Sequence, residues 1–80
     1  MSTVNLKNVP LKLFRQYLIF KGLKKIRTNG GHEIWGGTSV KRPITLQTHI
    51  DPIPEFIVRN NLRTLNVTKE EFYQYRIKQN

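Results

Sequence analysis

The chain has 80 residues, enough for one domain spanning residues 1–80, and only 38% of them are hydrophobic, so its core has to be small. Fourteen Lys and Arg stand against five Asp and Glu, a formal net charge of +9 whose field draws in polyanions, of which nucleic acid is the commonest. With no cysteine there are no disulfides or thiolate metal sites, and no apolar run approaches the roughly 20 residues of a spanning helix, so a cytoplasmic protein with no membrane partner is expected.

Residues 1–8 read as a loose lead-in. A first helix is expected over residues 10–21, because Leu11, Phe14 and Leu18 recur at i, i+3 and i+7 with Tyr17 on the same flank. Pro10 suits the first helical turn, Asn8 is a candidate cap, and Gly22 stands where a left-handed terminator belongs. Three short extended runs follow, over 23–28, 32–35 and 42–47. Asn29-Gly30-Gly31 makes a turn between the first two, and Gly36-Gly37 opens another. Pro43 removes a ladder donor and is expected at a strand start or on an edge. Links this short favour an antiparallel meander.

Asp51-Pro52-Ile53-Pro54 breaks the chain before a second helix over 55–65, whose inner face is Val58, Leu62 and Leu65. Thr68-Lys69-Glu70-Glu71 has the form of a capping box, which predicts a last short helix through Phe72 to about Ile77. The order is α-β-β-β-α(-α). The expected fold class is α+β, a three-stranded antiparallel sheet with helices packed on one face and the other face open.

An open sheet face on a basic protein is a place to lay RNA. Glycines at 30 and 31 would let a phosphate approach the backbone closely, with Lys25 and Arg27 on the preceding strand as the nearby cations. His32 follows directly, and imidazole titrates near physiological pH, which suits it to proton transfer. This equipment fits metal-free RNA cleavage. A base removes the proton of a 2′-hydroxyl, an acid protonates the leaving 5′-oxygen, and cations hold the charge that builds at phosphorus. His49 is the only other histidine; it is a candidate to bind phosphate or to cap the next helix.

Strand alternation sets His32 with Ile34 against Glu33 with Trp35. Trp35 is expected toward the helices and His32 on the open face, unless a bulge at Gly31 reverses them. Trp35, Phe14 and Phe72 read as core, and Tyr73 and Tyr75 are ambiguous. Two histidines with no further Cys or His do not make a zinc site, and no Gly-Lys-Ser/Thr phosphate loop is present, so no metal or small-molecule cofactor is called for.

Over roughly residues 11–72 the chain resembles the HicA toxins of bacterial type II toxin–antitoxin systems. The resemblance rests on Phe20-Lys21-Gly22 at the end of the first helix and on Gly30-Gly31-His32-Glu33-Ile34-Trp35. It rests also on Ile44-Thr45-Leu46-Gln47-Thr48-His49 and on Thr68-Lys69-Glu70-Glu71-Phe72. It implies a fold like the double-stranded-RNA-binding domain, an mRNA interferase whose family histidine falls on His32, and a HicB-type antitoxin partner that covers the site. Two positions depart from the family: Gly31 stands where it has serine, and Glu33 where a second histidine is common. The first loses a hydroxyl that could orient His32 or phosphate, and the second places a negative charge near an RNA site. The alternatives are a non-catalytic RNA-binding domain or degenerate toxin, and an interaction protein whose basic face meets an acidic partner.

Overall fold

A computed structural model describes residues 4–79. Six elements follow in order: α1 (Leu11–Phe20), β1 (Lys24–Asn29), β2 (His32–Gly36), β3 (Ile44–Gln47), α2 (Glu55–Leu65) and α3 (Lys69–Lys78). The strands form one antiparallel sheet in the order β1-β2-β3, so β1 and β3 are its edges. The expected α+β order and meander are what the chain adopts. β3 is shorter than the expected 42–47, with Pro43 just outside it, as a residue without a ladder donor requires.

The C-terminal ends of α1 and α2 are each set by a single residue with positive φ. Gly22, at φ +88°, ends α1: its amide donates to the Ile19 carbonyl, and the Leu23 amide donates to the Leu18 carbonyl, each at 2.9 Å. This paired closure is the Schellman motif. Asn66, at φ +59°, ends α2 in the same way, with the Val67 amide donating to the Leu62 carbonyl at 3.1 Å. Asparagine is the residue other than glycine that tolerates this conformation, and the sequence reading did not single it out. Thr68 caps α3 as expected, its hydroxyl oxygen accepting from the Glu71 amide at 3.0 Å.

The start of α1 differs from expectation. Pro10 is the flanking residue rather than the first helical one, and Asn8 does not cap: it turns the chain at φ +56°. The free amide of Leu11 is instead met by the Asp51 carboxylate, which accepts at 2.9 Å from 40 positions away. The lead-in is not loose either. Leu6 and Val9 are buried, Val9 forms an isolated bridge with Ile53, and the Arg76 guanidinium donates to the carbonyls of Asn5, Lys7 and Asn8. Met1, Ser2 and Thr3, also placed in that lead-in, lie outside the described residues. Three features that read separately in the sequence (lead-in, proline-rich break, end of the last helix) thus meet at one place.

The core lies between sheet and helices. Trp35, Ile44 and Leu46 face inward from β2 and β3 onto Phe14, Tyr17 and Leu18 of α1, Val58, Leu62 and Leu65 of α2, and Phe72 of α3. The rings of Tyr17 and Phe72 meet edge-on at 4.8 Å, a favoured aromatic geometry, and Tyr75 packs on Tyr17 at 5.0 Å. Burial first, then the nearby Glu71 and Tyr75, push the Tyr17 hydroxyl up to about 12. Among the described residues no helix is long and apolar enough to cross a membrane.

Candidate nucleic-acid interface

Cross-strand partners share a face of a sheet, and alternate residues along a strand change face. In β2, Glu33 and Trp35 are buried while His32 is exposed, so His32, Ile34 and Gly36 lie on the side away from the helices. His32 pairs with Asn29 on one side and Gln47 on the other, and Ile34 pairs with Arg27 and Thr45. These residues tile the open face, with His32 at the end of it nearest the β1–β2 turn. Trp35 is turned inward, as expected, and the ladder runs without a shift at Gly31.

The irregularity is in β1. Between the pairs Lys25–Trp35 and Arg27–Ile34 the register shifts, leaving Ile26 as an extra residue. At such a bulge two successive residues oppose one partner. The Ile26 side chain lies across the Cα of Gly36, on the open face, while remaining 62% exposed. Strict alternation would set Lys25 and Arg27 on the same side. The bulge separates them: Arg27 stays with His32 and Ile34, and Lys25 goes with Trp35 to the helix side. Lys24, paired with Gly36, is on the open face instead, although the sequence reading named Lys25 and not Lys24 as a nearby cation. Nothing in the residue types of β1 announces the extra residue.

The glycine turn also has a different use from the one expected. Gly30 has φ +62° and open space around it, so its requirement is conformational: positive φ at the first loop residue suits a tight hairpin turn. Gly31 has no such φ, and the space at its Cα is filled. A Cβ there would lie 2.7 Å from both Cε1 and Nδ1 of His49. The loop that carries His49 is held by Thr48, whose amide and hydroxyl both donate to the Gly31 carbonyl, at 2.8 and 3.2 Å. Thus the imidazole of His49, not a phosphate, lies against Gly31, one residue from His32. Both histidines are exposed. The structure gathers His32, His49, Gly31, Gly30 and Arg27 at one end of the sheet and leaves Lys25 aside.

Glu33 does not put a negative charge on this face. It is 6% exposed on the opposite side, where the Arg15 guanidinium donates to both its oxygens, at 3.0 and 2.7 Å, and the Trp35 indole N–H donates at 3.1 Å. Burial alone would push its pKa up. The hydrogen bonds from Arg15 and Trp35, with the positive charges of Arg15 and Lys25, outweigh burial and hold it below the ordinary value of 4.5. It is a structural carboxylate that ties α1 to β2.

Lys24, Lys25 and Arg27 form no ion pair among the described residues, whereas Arg15, Lys21 and Arg59 are each paired with a glutamate. No group of three or more His, Cys, Asp or Glu side chains comes together among the described residues. Three clefts lie elsewhere on the surface, and His32 lines none of them. Comparison with protein-family models, with curated proteins and with solved structures gives no match.

Proposed function

We propose that this protein is an RNA endonuclease, a HicA-like toxin with a fold of the double-stranded-RNA-binding kind, held in check by a HicB-like antitoxin in the cytoplasm. The observation that carries the proposal is that two exposed histidines lie at the same end of the sheet: His32 stands on the open face, and the His49 ring rests against Gly31, its neighbour in the chain. One imidazole supports only half of a transphosphorylation; two supply a base and an acid without a metal.

In this reading a neutral imidazole takes the proton of a ribose 2′-hydroxyl, whose oxygen attacks the adjacent phosphorus. The bond from phosphorus to the 5′-oxygen breaks, and the second imidazole, protonated at the start, gives its proton to that oxygen. The products are a 2′,3′-cyclic phosphate and a 5′-hydroxyl. Arg27 and Lys24 offer positive charge to the pentacoordinate transition state. We assign the catalytic role to His32, with His49 as its partner. DNA, lacking the 2′-hydroxyl, is not cut.

His32→Ala is expected to lower cleavage of labelled RNA by about 100- to 10,000-fold, the usual effect of losing a general acid or base. It should abolish growth arrest on induced expression while the melting temperature stays unchanged, since His32 is exposed. A folded His32→Ala protein as toxic as wild type would sink the mechanism. A non-catalytic RNA-binding domain is the second reading. It needs only the cations of the open face, Lys24 and Arg27, and no proton transfer. RNA that shifts on a gel yet stays intact would favour it.

A further inference from the structure

A second concentration of cations lies on the helix side of the molecule, and the chemistry above makes no use of it. One cleft of about 370 Å³ is lined by Ser39, Lys41, Arg42, Arg63, Thr64 and Asn66. Another, of about 200 Å³, is lined by Leu6, Arg59, Leu62, Arg63, Val67 and Lys69. Arg63 borders both, so the two clefts adjoin at that residue along the C-terminal half of α2, a cationic trough in two parts. Five cations line it and no carboxylate does. Only Arg59 among them is engaged in an ion pair among the described residues, with Glu55 at 2.9 Å. Charges of one sign along a concave low-dielectric wall reinforce one another's field, which raises the local concentration of the opposite charge.

The position is distinct from the histidine end of the sheet. Lys41 and Arg42 precede Ile44 at the start of β3, whereas His32 pairs with Gln47 at its end. The strand between them advances about 10 Å. The exposed carbonyl end of α2 would by itself repel anions. It is partly neutralised here, because the Asn66 and Val67 amides donate to the Arg63 and Leu62 carbonyls.

We propose that this trough binds the phosphate backbone of an RNA strand, as a site separate from the His32 end. Two features favour phosphate over an acidic peptide. The cleft at Lys41 and Arg42, unlike its neighbour with Leu6, Leu62 and Val67, has no apolar residue in its lining, so that part offers no socket for a peptide side chain. Its neutral members, Ser39, Thr64 and Asn66, are hydroxyl and amide donors of the kind that join Arg and Lys on phosphate oxygens. Arg63, at the junction, presents a planar fork that can bridge two oxygens of one phosphate. The trough reads no base and confers no sequence preference.

The site is tested by binding, so it stands or falls independently of cleavage. Affinity of the full chain for a fluorescent single-stranded RNA is measured by anisotropy from about 50 to 200 mM salt. Arg63→Glu, and separately Lys41→Glu with Arg42→Glu, are expected to weaken binding at least about tenfold and to flatten the salt dependence by about one charge for the single variant and about two for the double. Arg63→Lys, which keeps the charge and loses the planar fork, should keep the salt dependence of wild type. At saturating RNA the trough variants should still cleave. All these side chains are exposed, and melts by circular dichroism verify folding; should Arg63→Glu fail to fold, the loop pair Lys41 and Arg42 carries the test. Unchanged affinity and salt dependence in folded trough variants would overturn the proposal. So would polyglutamate displacing RNA from wild type at equal charge, with that competition lost in the variants, since an acidic peptide would then be the occupant.

Discussion

A methyl group added at Gly31 would sit 2.7 Å from two atoms of the His49 ring, closer than real side chains approach. The ring is exposed and free to swing away, so Gly31→Ala is expected to leave stability within about 0.5 kcal/mol of wild type. Under the proposed RNA cleavage, activity should nonetheless fall toward the level of His49→Ala, because the His49 ring leaves its place against Gly31. Wild-type activity in Gly31→Ala, with an unchanged melt, would show that this placement of His49 has no part in the proposed reaction. Glu33 is a second residue whose setting the strand alternation foretold only by face. Its lowered pKa gives stability that is fully present above the ordinary value of 4.5 and is lost as pH falls through the folded value. Wild type should therefore destabilise on acidification from about pH 4.5 downward. Glu33→Gln should cost about 1–3 kcal/mol at neutral pH and show a smaller acid loss, measured by melts at both pH values. A variant with the wild-type acid dependence would remove Glu33 from that account.

At the scale of elements, helix ends and strand order were legible because their signals are local. Gly22, Thr68 and the apolar periodicity of α1 and α2 each act within a turn or two of chain. The positive φ of Gly22, in open space, makes a Cβ costly for conformational reasons alone. Gly22→Ala is expected to destabilise by about 1–2 kcal/mol and lower the melting temperature by about 4–8 °C or more in a domain of this size. No shift in the calorimetric midpoint would mean the α1 closure contributes nothing. The start of α1 was not legible, because its cap is Asp51, 40 residues away, and no local pattern joins them. Nor was the bulge at Ile26. The cations of β1 were visible in the sequence, but which of them share a face with His32 depends on one extra residue in the ladder. Sequence periodicity carries no mark of it.

For the whole molecule, the part least visible beforehand is the closure at the N-terminus. The segment from Val4 to Val9 contains two apolar anchors, Leu6 and Val9, spaced too irregularly for a helix or a strand, so it reads as loose. It is instead held by Ile53 from the proline-rich break and by Arg76 from the last helix. Leu6, only 2% exposed, also floors one of the two clefts that meet at Arg63. Leu6→Ala is expected to cost about 2–5 kcal/mol, read as a lower urea midpoint with an unchanged slope. A midpoint equal to wild type would return the segment to the status of a tail. The composition was a sounder guide at this scale: a net charge of +9 foretold cationic surfaces, though not that they would divide between two sides of the fold.

The irregularity in β1 has an effect on company as well as on faces. An uncovered outer strand is an invitation for another chain to extend the sheet, the first step toward fibrils. Here that margin is kinked at Ile26 and carries Lys24, Lys25 and Arg27 along its length, so an approaching copy meets both a mismatched ladder and like charge. The same short strand that sets cations on the open face thereby discourages the protein from polymerising with itself.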